Sequence, residues 1–313
     1  MYYEEKELSA PYIKQNKRKP RGRIVALFLV AAILCGVCFA YRSFRGGGFF
    51  AFILRGEKGS ESTSQNVTTS TAENTPSTPD SIKTVNLSAA VQGQKYENKS
   101  GYDVSGGYSV SLAKLRGGSV LLVATRGYEG YAESGSGVSY YGKNTAELAL
   151  FLSRELEKNG VSAEFLDVCE NGIYTYENAY VKITDYLSEN ENVRYIIDIS
   201  REVICGENGE FLRPCACIDG KNHAQLRIAV GTDAGGGNHP GWRTRLMQAN
   251  ALFDAVNEKN PDILMPMLIS RARLNQHLPR CTFTLKIGAV GNSFEEAENT
   301  AGLFAKFFAD AVK

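Results

Sequence analysis

Residues Ser119–Tyr131 read SVLLVATRGYEGY, and this stretch decides the fold. The apolar run Val120–Val123 enters from two glycines and stops abruptly at Ala124-Thr125-Arg126-Gly127. A run too short for a helix and bounded by turn residues reads as a buried strand. A helix is expected next, near Ala146–Leu156, with Leu148, Leu152 and Leu156 on one face before the Asn159-Gly160 stop. Strand then helix is the opening unit of an α/β layer, and such layers carry their chemistry at the carboxyl ends of strands. The residues at this end are Ala124, Thr125, Arg126 and, shortly after, Glu129. That is a poor set for a metal or a nucleophile.

The chain beyond continues the alternation. Val161–Leu166 reads as a second strand, Tyr176–Leu187 as a helix aligning Tyr180, Ile183 and Leu187, and Tyr195–Ile199 as a third strand, apolar but for Asp198. Ile204–Lys221, punctuated by Gly and Pro, looks like an inserted hairpin. Gln225–Val230 is another strand, leading into the loop Gly231–Trp242. Leu246, Ala249, Phe253 and Val256 mark a helix, and Thr282–Ile287 the last strand. Ser293-Phe-Glu-Glu296 is a capping box opening a C-terminal helix whose buried face is Ala297, Ala301, Phe304, Phe308 and Ala311. This order predicts an α/β fold with a mostly parallel sheet flanked by helices on both faces, spanning residues 106–313.

Upstream the character changes. Lys14, Lys17, Arg18, Lys19, Arg21 and Arg23 crowd the segment before Ile24–Tyr41, which has no charged side chain. Eighteen helical residues span about 27 Å, enough for a bilayer core. The expectation is a basic cytoplasmic tail (1–23), a retained transmembrane helix (24–41), and everything after it outside the cell. The rival reading is a cleaved signal peptide, but signal cores run about 7–15 residues. Residues 42–105 include a Ser/Thr/Asn/Gln-rich stretch from Ser60 onward that lacks apolar periodicity, so they read as a flexible extracytoplasmic tether. The localisation expected is the cell membrane, single-pass, with the C-terminal domain extracytoplasmic.

With 43% apolar residues and a net charge of +1, nothing points to nucleic-acid binding. Of seven cysteines, Cys35 and Cys38 lie in the expected span. Cys169, Cys205, Cys215, Cys217 and Cys281 lack metal-site spacing. A Cys205–Cys215 or Cys205–Cys217 bridge and free thiols are both open readings. The histidines His223, His239 and His277 show no ligand spacing. The simplest reading makes His239 a turn residue and His277 an exposed loop residue.

Three strand ends, Thr125–Tyr131, Asp198-Ile-Ser-Arg-Glu202 and Leu285–Asn292, combine with Gly231-Thr-Asp-Ala-Gly-Gly-Gly-Asn-His-Pro-Gly-Trp242 and Arg271-Ala-Arg-Leu-Asn-Gln276. Together they resemble the stage II sporulation protein P family, from about Gly118 to the C-terminus. The resemblance implies membrane-anchored, zinc-dependent N-acetylmuramoyl-L-alanine amidases acting on peptidoglycan in forespore engulfment. The departures are sharp. Where active members carry His-Thr-His-Thr-Thr-Glu, this chain has Ala124-Thr125-Arg126-Gly127-Tyr128-Glu129. Where they carry Asp-Leu-His-Arg-Asp, it has Asp198-Ile199-Ser200-Arg201-Glu202, and Ile-Glu-Val-Gly is replaced by Leu285-Lys286-Ile287-Gly288. Only Glu129 remains of the set implied to hold metal and do chemistry.

A catalytic zinc needs about three His or carboxylate ligands. Ala124 has no donor atom, Ser200 is a poor neutral ligand, and Arg126 and Lys286 are cations. The expectation is that zinc is lost and no other cofactor replaces it. Arg126 and Lys286 would leave a positive pocket for an acidic stem peptide or a glycan carboxylate. Arg201, Asn275 and Gln276 are candidates to line the substrate groove, as the family positions imply; equally, Arg201 pairs with Asp198 or Glu202 while Asn275 and Gln276 satisfy loop backbone. The leading expectation is a non-catalytic homologue that binds peptidoglycan or other membrane proteins of the engulfment machinery. An active amidase with a non-standard metal site and an exported ligand-sensing module are the alternatives.

Overall fold

The computed structural model describes residues 81–106 and 110–313. The expected basic tail, the transmembrane span and the tether as far as residue 80 lie outside the described residues. Among the described residues no helix is long and apolar enough to cross a membrane.

Ordered structure starts earlier than residue 106. Within the stretch read as tether, Ile82–Val85 forms β1, Ala89–Gln92 a one-turn helix α1, and Tyr96–Asn98 β2. Ser88 caps α1 by accepting from Val91 N, and Gln225 Nε2 donates to Asn86 Oδ1 at 2.8 Å. This segment is therefore built into the folded unit.

The remaining elements follow the expected alternation: β3 (Ser119–Val123), α2 (Thr145–Lys158), β4 (Ala163–Phe165), α3 (Tyr176–Glu189), β5 (Val193–Glu202), β6 (Phe211–Ile218), β7 (Lys221–Ala224), β8 (Leu226–Gly231), α4 (Trp242–Lys259), β9 (Met267–Ser270), β10 (Cys281–Ala289) and α5 (Phe294–Val312). β9 has no counterpart in the sequence reading. The main sheet runs β2-β9-β8-β10-β5-β3-β4, with only the β8–β10 pairing antiparallel. The β6–β7 hairpin turns through Asp219 and Gly220, both at positive φ, and joins β1 in a separate three-stranded sheet.

Alternation along the strands sorts side chains to two faces. Val120, Leu122, Tyr195, Ile197, Phe283 and Leu285 face a core built with α2, α4 and α5, including Leu148, Phe253, Phe304 and Phe308. Leu121, Val123 and Ile196 face α3 through Ala179, Ile183 and Leu187. Truncating Phe304 or Phe308 to Ala would cost about 3–5 kcal/mol. Tyr180 departs from expectation: it is 38% exposed and stacks on His277, ring centroids 4.9 Å apart. Ala311 is only half-buried.

Helix ends are set by local chemistry. Asn144 caps α2 by accepting from Glu147 N at 2.9 Å, and Gly160, at φ 70°, ends it as expected. Both halves of the Ser293–Glu296 capping box are made. Glu296 also holds Arg213 of the hairpin in an ion pair, so one carboxylate ties α5 to the second sheet.

Candidate functional site

β3 connects through α2 to β4 on one side, and β5 lies on the other side of β3. The strand order thus reverses between β3 and β5, where sheets of this kind bind ligands at the carboxyl ends. β3 ends at Val123, opposite Asp198, while β5 runs on to Glu202. Thr125 N consequently has no ladder partner and donates to Asp198 Oδ1 at 2.8 Å. Burial pushes the Asp198 carboxyl up to about 7, despite the hydrogen bond from Thr125 N. Asp198 is a structural cap.

The next turn brings Glu129 back over the end of β5, where it is 2% exposed. Its Oε2 accepts from Ser200 Oγ at 2.8 Å and Arg201 N at 3.1 Å. Its Oε1 pairs with Arg126 Nε at 3.1 Å. The sequence-predicted residues Arg126, Glu129, Ser200 and Arg201 therefore do converge. The partners of Arg201 differ from both sequence readings. It is buried and donates to three backbone carbonyls, those of Gly130, Gly137 and Glu202, clamping the loop between β3 and α2 instead of facing a groove or a carboxylate. Tyr131, fully buried, anchors the same loop by donating to Ile287 O at 3.0 Å.

Lys286 stands opposite Ser200 on β5 and Arg227 on β8. Its Nζ lies 3.4 Å from Glu202 Oε2, and Glu202 Oε1 lies 3.7 Å from Arg227 Nε. Arg227 also pairs with Glu97, which pairs with Lys99 at 2.8 Å. The expected positive pocket is thus corrected: Arg126 and Lys286 each face a carboxylate, and a strip of alternating charge crosses the sheet from β2 to β5. Nearby carboxylates offset what the cations alone would create.

Asn275 and Gln276 are also corrected as groove residues. Both are buried. Asn275 Nδ2 donates to Tyr176 O at 2.7 Å. Gln276 accepts from Gly231 N at 2.8 Å and donates to Ala229 O at 2.8 Å and Thr284 Oγ1 at 3.0 Å. Their amides satisfy buried backbone, the second of the two readings the sequence left open.

His277 is half-buried under Tyr180 and not exposed. His239 is buried in its turn, and burial, with Arg245 nearby, pushes its imidazole down to about 4. All five described cysteines are free thiols.

The residues do not fit a catalytic zinc. Ala124 has no donor, Ser200 Oγ spends its proton on Glu129, and the Arg126 guanidinium occupies the other face of that carboxylate. Among the described residues no three His, Cys, Asp or Glu side chains gather as a metal site.

Sequence reasoning missed the tyrosines around this network. Tyr128 lies under Arg126, 5.8 Å from ring centroid to guanidinium, and 6.0 Å from both Tyr140 and Tyr174. Tyr140 is 59% and Tyr141 fully exposed. The signal was present in Tyr128, Tyr131, Tyr140 and Tyr141, clustered just after the deciding strand.

The stage II sporulation protein P profile matches residues 51–309. No curated protein matches the chain. Among solved structures, the N-acetylmuramyl-L-alanine amidase Ami1 from Mycobacterium smegmatis is similar at 8% identity and TM-score 0.39, covering 64% of this chain and 99% of its own. The CwlD amidase from Clostridioides difficile, solved with the GerS lipoprotein, is similar at 12% identity and TM-score 0.37, covering 62% and 94%. The catalytic domain of the amidase CwlV from Bacillus (Paenibacillus) polymyxa stands at 12% and 0.32, covering 62% and 93%.

Proposed function

The chain belongs to the stage II sporulation protein P family, and from that premise we propose that it is a sporulation-type peptidoglycan amidase homologue that binds cell wall without cleaving it. The observation that carries this reading is the Arg126–Glu129–Ser200 network: a hydrogen bond and an ion pair join three positions that the family resemblance implies for the metal and catalytic set. A guanidinium against the one surviving carboxylate opposes a dication electrostatically, and a water left without a metal stays near its bulk pKa.

Binding is supported by the rim. Exposed Tyr140 and Tyr141 and the half-buried Tyr128 offer flat, amphipathic surfaces, which suit sugar rings and peptide backbone. Arg126, whose side chain is 45% exposed, adds donors for a carboxylate. The cellular setting proposed is a single-pass membrane protein, N-terminus in the cytoplasm and this domain outside, where peptidoglycan and other membrane proteins of the engulfment machinery are its partners.

The test is to incubate the full chain with purified sacculi in excess zinc. Co-sedimentation without release of soluble stem peptides is expected, and Arg126→Ala combined with Tyr140→Ala should reduce the bound fraction several-fold. Release of stem peptides by the unmodified chain would overturn the proposal.

A further inference from the structure

The far end of the sheet carries a second constellation. β5 and β10 begin there, away from Glu129, and a cleft of about 590 Å³ opens beside them. Its walls include Leu187, Glu191, Arg194, Arg245, Arg280 and Cys281. Three guanidiniums stand there against one carboxylate, and none of the four makes an ion pair among the described residues.

The arginines differ in how they are held. Arg245 is fixed in place: it donates to Gln276 O at 3.2 Å, Leu278 O at 2.9 Å and Gln248 Oε1 at 3.0 Å. A guanidinium has five N–H donors, so two remain. Arg280 makes one hydrogen bond, to the carbonyl of its neighbour Pro279 at 3.1 Å, while its Nε is buried without a partner. Arg194 is exposed. A buried donor left unmade on a charged group is costly, and such groups in native proteins ordinarily have an acceptor. Burial pushes the Cys281 thiol up to about 12, so it stays neutral and adds no negative charge to the cleft.

We propose that this cleft is a binding site for a phosphate ester, gripped by Arg194, Arg245 and Arg280 and distinct from the Glu129 site. Planar guanidinium forks match the oxygens of phosphate bidentately, and three of them, less the charge of Glu191, balance a phosphomonoester or a pair of phosphodiesters. Leu187 supplies an apolar wall for the ester's carbon chain. Glu191, exposed at the rim, opposes the anion and so sets an upper limit to its affinity. The same chemistry is offered by a phospholipid headgroup and by a soluble or polymeric phosphate ester.

The experiment is calorimetric titration of glycerol 3-phosphate into the full chain reconstituted in phosphatidylcholine nanodiscs. Saturable binding is expected. It should fall at least tenfold in the Arg194→Gln, Arg280→Gln variant, rise a few-fold in Glu191→Gln, and weaken with added salt. An unchanged melting temperature without ligand checks that each variant folds, and the Glu191→Gln gain cannot arise from misfolding. Repeating the titration in discs containing phosphatidylglycerol separates the two sources. A weaker apparent affinity there, abolished by the double arginine variant, assigns the site to a lipid headgroup, and equal affinity in both discs assigns it to a non-lipid ester. No binding at millimolar ligand, or binding indifferent to the arginine variant, would overturn the proposal.

Discussion

Ser200 Oγ donates a 2.8 Å hydrogen bond to Glu129 Oε2, joining the ends of two neighbouring strands through a carboxylate that is 2% exposed. With Arg201 N and Arg126 Nε on the same carboxylate, Glu129 has three donors around it. A buried carboxylate is tolerated only when it is paired and hydrogen-bonded. Glu129 is therefore stable in its buried position because the groups around it are donors.

Glu129→Ala should accordingly destabilise the fold by about 3 kcal/mol, since Ser200 Oγ and Arg201 N lose their acceptor in a buried setting. Glu129→Gln keeps an amide oxygen for those donors and loses chiefly the pairing with half-exposed Arg126. A pair screened by solvent on one side is worth less, so about 1 kcal/mol is expected. Urea midpoints of the two variants check the ranking.

Lys286→Glu introduces the carboxylate that the family resemblance implies at this position, yet it should not confer amidase activity, because Ala124, Arg126 and Ser200 still provide no histidine. It sets two carboxylates against each other, since Glu202 Oε2 lies 3.4 Å from Lys286 Nζ. A loss of about 2–3 kcal/mol is expected. Adding Glu202→Lys reverses the pair and should recover more than half of it, a coupling that a double-mutant cycle in urea measures directly.

Much of this was legible in the sequence and some was not, for physical reasons. Val120–Val123 and the Ser293–Glu296 box carry local signals, a short apolar run between turns and a reciprocal cap, and both appear as read. β1 was hidden because three of its four residues are exposed and it lies in Ser/Thr-rich composition, so it leaves no apolar pattern. β9 was hidden behind Pro266, which breaks the run from Ile263 to Ile269. The Arg126 partner, three residues on, was within reach of sequence reasoning. Those of Lys286 were not: Glu202 and Arg227 become its neighbours only once β10 is known to lie between β5 and β8. Gln276 and Arg201 failed as groove residues because composition gives a side chain's chemistry but not its direction.

The cysteines should react in the order of their burial. Cys205 and Cys217 are exposed, whereas Cys169, Cys215 and Cys281 are half-buried. Burial raises the Cys215 thiol and takes Cys281 up to about 12, and the thiolate is the reactive form. Alkylation of the folded chain followed by mass spectrometry should label Cys205 and Cys217 within minutes and Cys281 only after unfolding. A disulfide mass linking Cys205 to Cys215 or Cys217 in freshly prepared protein would contradict this.

Asp198 gives the fold a pH dependence of unusual sign for a carboxylate. Burial, helped by Glu129, raises its folded pKa from 3.8 to about 7 against the opposing pull of the Thr125 hydrogen bond and Lys286. Between these two values the folded state holds a proton that the unfolded chain has released. Stability from this group is therefore complete below about pH 4 and declines as pH rises towards about 7, by at most about 1.4 kcal/mol per pH unit. Asp198→Asn removes the titration while keeping a carbonyl oxygen for Thr125 N. The variant should match the parent in acid and exceed it by up to about 4 kcal/mol above neutrality, the full span of the shift. Urea unfolding of both proteins across that window gives the difference directly, because other titrating groups cancel between them. A flat difference would mean that Asp198 stays ionised in the fold and that Thr125 N, with whatever else solvates it, offsets its burial.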